Sequence, residues 1–130
     1  MVLADGCFDP LHVGHLWYLR EAATLGRPLV VNIAPDSAIY EKGRRPFQTR
    51  VERAQLVLAL DLVDAVQQGD LAAVVRACRP DALVKGPDWR GRLPVEVKDA
   101  CRDVGAIVVY TETQRRTSRE RLTAASLWIG

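Results

Sequence analysis

The sequence predicts an α/β fold: a parallel sheet of five strands with helices on both faces. Three observations carry that prediction. Short apolar runs alternate with longer helix-patterned stretches, as βαβ units do. The runs Leu29-Val30-Val31-Asn32-Ile33-Ala34 and Ala106-Ile107-Val108-Val109-Tyr110 are nearly all apolar, as strands covered on both faces are. Gly, Pro and capping residues stand at the changes of pattern. Right-handed crossovers then permit the strand order 3-2-1-4-5, with its reversal between the first and fourth strands.

The elements follow in order. The first strand is read over Val2 to about Asp5. A helix from about Gly14 places Leu16, Leu19, Ala22 and Ala23 on one face, with Gly26 as its stop. The second strand is Leu29 to Ala34. Residues 35–46 read as a loop, because their second half, Glu41-Lys42-Gly43-Arg44-Arg45-Pro46, is basic and broken by Gly and Pro. A helix runs from Thr49 to about Leu60, with Thr49 and Glu52 at capping-box spacing. A short third strand lies near Val63 to Val66. Asp70 caps a helix that ends near Cys78-Arg79-Pro80. The fourth strand is Ala82 to Val84. Pro94 suits the first turn of another helix, which stops at Gly105 before the fifth strand, Ala106 to Tyr110. A last helix is expected from about Arg119 to Trp128. No stretch divides the chain, so residues 1–130 are expected to form a single domain around one core.

Composition narrows the class. The chain is 48% hydrophobic, with a net charge of +2 and three cysteines. So small a charge argues against a broad nucleic-acid or membrane surface, though a local basic pocket is compatible with it. Cys7, Cys78 and Cys101 include no close-spaced pair, which suggests free thiols in a reducing compartment. No leader pattern precedes the first strand and no apolar run reaches spanning length, so a cytoplasmic protein is expected.

Both histidines of the chain fall in one window, Gly6-Cys7-Phe8-Asp9-Pro10-Leu11-His12-Val13-Gly14-His15. The window stands where the first strand turns into the first helix, on the rim where open parallel sheets bind ligands. The first N–H groups of a helix lack partners within it, and the dipole adds partial positive charge, so the place suits phosphate. Two imidazoles add donors there. Gly6 and Gly14 leave room for a close backbone approach. Two other readings compete: a buried pair of structural histidines, and a zinc site on Cys7, His12 and His15, which lacks a fourth ligand.

The same window meets every fixed position of the signature Gly-x-Phe-Asp-x-x-His-x-Gly-His, through Gly6, Phe8, Asp9, His12, Gly14 and His15. In this the chain resembles the nucleotidyltransferase (cytidylyltransferase-like) superfamily. Lys85-Gly86-Pro87-Asp88-Trp89 resembles the Lys-Gly-Gly-Asp-Tyr/Trp segment of sugar-phosphate nucleotidyltransferases. That likeness is nearest to the adenylyltransferase domain of ADP-heptose synthase and to glycerol-3-phosphate cytidylyltransferase. Lys42-Gly43-Arg44-Arg45-Pro46 resembles the basic loop that such proteins place over the phosphates. Arg53 matches an arginine of the family's Glu-x-Arg element, and Arg115 to Leu122 partly matches a Ser/Thr-rich phosphate segment.

The resemblance implies a Rossmann-like, HUP-type sheet and a reaction. A nucleotidyl group would pass from an NTP, ATP or CTP by preference, to a phosphorylated sugar or polyol, releasing pyrophosphate. His12, His15, Lys42 and Arg53 would be catalytic. Gly6, Phe8, Asp9, Gly14, Lys85, Asp88, Thr117 and Ser118 would join the histidines in holding the nucleotide. Lys42, Arg45, Arg53 and Trp89 would hold the acceptor. Mg²⁺ would come with the NTP and bridge its phosphates, with Asp9 at most an indirect ligand and no protein metal site. Relatives often dimerise, so a homodimer is implied; nucleic acid and membrane are not. Blander readings exist for each segment: a solvated basic loop at 42–46, a salt bridge from Arg53 to Glu52 or Asp61, a plain surface loop at 85–89, a capping box from Thr117 to Glu120. Trp17, Trp89 and Trp128 are more often core or interface residues than base platforms. Two functional alternatives remain. One is a nucleotide-binding regulatory module without turnover. The other is a transferase acting on pantetheine phosphate or nicotinic mononucleotide.

Overall fold

The computed structural model describes residues 1–112. Thr117, Ser118, Trp128 and the expected last helix lie outside the described residues. Within them the strands are β1 (Val2–Gly6), β2 (Leu29–Ile33), β3 (Ala65–Gln67), β4 (Ala82–Lys85) and β5 (Ile107–Tyr110). The helices are α1 (Val13–Ala23), α2 (Asp36–Tyr40), α3 (Arg50–Leu58), α4 (Leu71–Cys78) and α5 (Val95–Val104). A single 3₁₀ turn covers Pro87–Trp89. The strands form one parallel sheet in the order β3-β2-β1-β4-β5, as the sequence predicts.

Side chains alternate across the sheet with a period of two. Val2, Ala4, Leu29, Val31, Ile33 and Val84 face the layer that contains Tyr18, Leu19 and Ala22 of α1 and Ala54 and Val57 of α3. Leu3, Val30 and Leu83 face the opposite layer, where Val74 and Val75 of α4 meet Val97, Ala100 and Cys101 of α5. Every residue of β2 is buried, which is why its sequence reads as an apolar run rather than an alternation.

Local signals set the helix ends. The Thr49 hydroxyl accepts the Glu52 N–H and the Glu52 carboxylate accepts the Thr49 N–H, closing the expected capping box on α3. Asp70 accepts the Ala73 N–H at the start of α4. Gly105 ends α5 at φ +74°, a conformation natural to glycine.

Four local readings need correction. Residues 36–40 form α2 rather than loop; with Ile39 as its one buried residue, so short a helix leaves no periodic signal. The third strand starts at Ala65, because the buried Val63 sits in a turn, its N–H bonded to the Leu60 carbonyl. Pro94 is the N-cap of α5, one residue ahead of its first turn. Helix α1 is capped by Thr24, two residues before Gly26.

The sheet parts where the strand order reverses. The β1–β2 pairing runs as far as Gly6 with Ile33, and the β4–β5 pairing as far as Lys85 with Tyr110. The β1–β4 pairing stops at Ala4 with Val84. The Tyr18 hydroxyl fills the gap, accepting the Asp5 N–H at 3.1 Å and donating to the Val84 carbonyl. A crevice at the carboxyl end of the sheet therefore opens between β1 and β4.

Candidate active site

The histidines stand at the mouth of this crevice, and each is held by backbone. His12 is the N-cap of α1; its Nδ1 accepts the Gly14 N–H at 3.1 Å. His15 Nδ1 accepts the His12 N–H at 3.1 Å. The two rings thus form a reciprocal cap, in which imidazoles take the roles that Ser or Thr and Glu usually take. They stack with centroids 3.8 Å apart and planes 23° from parallel. An Nδ1 that accepts carries no proton, so each neutral ring carries its proton on Nε2. Both imidazoles are therefore donors at the edge turned away from the helix backbone. Phe8, buried and at φ +52°, sets its ring edge-on to His15 at 5.0 Å. Phe8 thus orients a histidine. A Cβ at Gly6 would lie 3.1 Å from the Phe8 ring, so a side chain there would require the ring to give way.

The basic loop is bound to this turn. Asp9 is wholly buried and accepts from Arg44 Nη1 at 2.6 Å and from the N–H groups of Phe47 and Gln48, each at 2.9 Å. Lys42 and Arg45, on either side of Arg44, are exposed. Asp9, expected beside the nucleotide, has its carboxylate turned to these protein donors.

Arg53, expected at the acceptor phosphate, is 0% exposed. Its Nη1 donates to the carbonyls of Cys7 and Ala34, both at 2.9 Å, and its Nη2 meets Asp36 at 2.7 Å. It ties the turn after β1 to the turn after β2. Its ionic partner is Asp36, neither Glu52 nor Asp61.

On the far side of the crevice, Lys85 ends β4 and is 3% exposed. Its Nζ lies 2.8 Å from Asp5 Oδ2 and 4.2 Å from the centre of the Trp89 ring. A buried ammonium requires such partners. Asp5 in turn accepts from Asn32 Nδ2 at 2.9 Å, and Asn32 exchanges two hydrogen bonds with the backbone of Gly69. Arg50 donates to the carbonyls of Gly69 and Ile33. A polar chain therefore crosses the carboxyl ends of β4, β1 and β2. Lys85 belongs to it as a paired cation, while Asp88 is exposed on the 3₁₀ turn.

A family model described as cytidylyltransferase-like matches residues 3–124.

The chain belongs to the cytidylyltransferase-like family.

Among curated relatives it is 42% identical over 92 residues to an FAD synthase of Thermococcus sibiricus, covering 67% of this chain and 62% of that protein. It is 39% identical over 97 residues to the bifunctional protein HldE of Campylobacter fetus subsp. fetus, covering 71% of this chain and 21% of that one. The chain therefore spans less than two thirds of the length of either relative. A solved structure, a lipopolysaccharide core biosynthesis protein from Thermoplasma volcanium, matches with a TM-score of 0.75 and 31% identity, over 88% of this chain and 97% of that one. No helix among the described residues is long and apolar enough to cross a membrane.

Within this cytidylyltransferase-like chain the structure brings together Gly6, Phe8, Asp9, His12, Gly14, His15 and the loop bearing Lys42 and Arg45. Lys85 and Trp89 stand together across the crevice. Sequence reasoning missed Asp5, Tyr18, Asn32, Arg44 and Arg50. A signal did exist for two of them: Asp5 and Asn32 are polar residues inside otherwise apolar strands, a cost borne only when a partner is at hand.

Proposed function

We propose that this chain transfers a nucleotidyl group from an NTP to the phosphate of a sugar or polyol phosphate, releasing pyrophosphate. The stacked His12–His15 cap carries the reading. Two imidazoles with their protons on Nε2, at a helix start, suit the growing negative charge of a leaving pyrophosphate. An acceptor phosphate oxygen attacks the α-phosphorus and the bond to the bridging oxygen breaks, so no protein nucleophile is needed. The basic loop, held to the same turn by Asp9, supplies Lys42 and Arg45 as counter-charge.

Mg²⁺ enters this reading with the NTP and supplies charge neutralisation on its phosphates. Among the described residues no group of three or more His, Cys, Asp or Glu is placed to hold a metal.

A cleft of about 300 Å³ supports a hydroxylated acceptor; it is lined by Asp36, Tyr40, Arg45, Phe47, Gln48 and Glu52. Exposed aromatic faces suit the C–H faces of a sugar, carboxylates accept its hydroxyls, and a guanidinium takes its phosphate. The Thr49 N–H, the first cause, and the Thr49 hydroxyl hold the Glu52 carboxyl below its usual range, so it serves as an acceptor.

The test is a pyrophosphate-release assay across ATP, CTP, GTP and UTP with sugar and polyol phosphates. Release with one NTP and one phosphorylated acceptor is the expected result. NTP binding without release under any pairing would instead establish a binding module.

A further inference from the structure

Loop 41–49 crosses from α2 to α3 with few bonds of its own. Its start is tied to α2, through the N–H groups of Lys42 and Gly43. Its middle is tied to residue 9. Arg44 grips that residue twice, with Nη1 on the carboxylate at 2.6 Å and Nη2 on the backbone carbonyl. Nη1 also reaches the Arg45 carbonyl at 3.1 Å, and the guanidinium lies over the Phe47 ring at 4.7 Å. The N–H groups of Phe47 and Gln48 complete the carboxylate. Side-chain exposure is 13% for Arg44 and 0% for Asp9. So buried a carboxylate, met by three donors, is already satisfied.

We propose that Asp9 and Arg44 form a latch that seats the basic loop on the histidine turn, and that both act as positioning residues for nucleotidyl transfer. This rests on the function proposed above. Lys42 and Arg45 flank the latch, so its closure sets where their charges stand relative to His12 and His15. The fork is what makes arginine suitable: two nitrogens of one rigid planar group meet the carboxylate and the carbonyl, where an ammonium is a compact point charge on a flexible stem. Neither Asp9 nor Arg44 touches nucleotide or metal in this account.

The test compares wild type with Arg44→Ala, Arg44→Lys, Asp9→Asn and the Asp9→Asn/Arg44→Ala double variant. Arg44→Ala is expected to lower kcat/KM about tenfold to a hundredfold, the scale of a small misplacement of charged groups. Arg44→Lys recovers part of the loss. The double variant loses little more than the worse single, because both changes open one latch. Amide exchange at Phe47 and Gln48 quickens in Arg44→Ala, and the Mg²⁺ concentration for half-maximal rate stays as in wild type. An active wild type with an unaltered Arg44→Ala, or losses that multiply in the double variant, overturns the latch. A shifted Mg²⁺ requirement in Asp9→Asn alone makes Asp9 a metal-linked residue and overturns it too. If wild type releases no pyrophosphate with any NTP, the transferase reading fails. NTP affinity by calorimetry then replaces kcat/KM, and an affinity unchanged in Arg44→Ala overturns the latch separately.

Discussion

His12 uses one ring for two purposes. Nδ1 caps α1, and the proton on Nε2 makes the opposite edge a donor. The two purposes can be separated. Asparagine is among the best N-caps, so His12→Asn should leave thermal stability near wild type while turnover falls about a hundredfold, as when one preorganised donor is removed. His12→Ala should lose the cap as well, at about 1 kcal/mol measured by urea unfolding. A His12→Asn variant with wild-type turnover would remove the imidazole from the chemistry. The turn and its signature were legible in the sequence, because both lie within ten neighbouring residues. The role of Asp9 was not: its partners stand 35 to 39 residues away, and nothing local says which of several arginines returns to it. Arg53 shows the same limit, since its partner Asp36 lies on a helix too short to be foreseen.

At the scale of elements, local chemistry predicted most of the ends. The Thr49–Glu52 capping box, the Asp70 cap and the Gly105 stop read correctly because each closes within one helical turn. Thr49→Ala should therefore cost about 1 kcal/mol in urea unfolding, with little effect on the sheet. No change in unfolding midpoint would mean that the α3 cap is not closed in solution. Elements that depend on neighbours were harder. Helix α2 is held by one buried residue, Ile39, together with the Arg53 bond to Asp36. The start of β3 is set by its pairing with Val30, not by its own apolar content.

For the whole molecule, the two-layer packing has a chemical readout. Cys101 lies on α5 against the sheet, 2% exposed, and burial pushes its thiol above the usual range. A raised thiol holds even less thiolate in mildly alkaline buffer, so Cys101 should label only as fast as the fold opens. The half-buried Cys78 should react first. Equal labelling rates for the two would mean that α5 does not pack as described. The same packing explains why the crevice is where it is. Helix α1 packs on the sheet at the β1–β4 junction, and its Tyr18 takes the place of the pairing that ends there.

By itself the sequence determined the alternation of strand and helix, the strand order, the caps and the histidine turn, since each rests on spacing within a few residues or on right-handed crossovers. The tertiary structure alone decided the pairings: Asp9 with Arg44, Asp5 with Lys85, Arg53 with Asp36. A charge in a sequence of many charges has many formal partners. Asp5 and Lys85 meet across 80 residues because β1 and β4 lie side by side in the sheet, and burial then leaves each with the other.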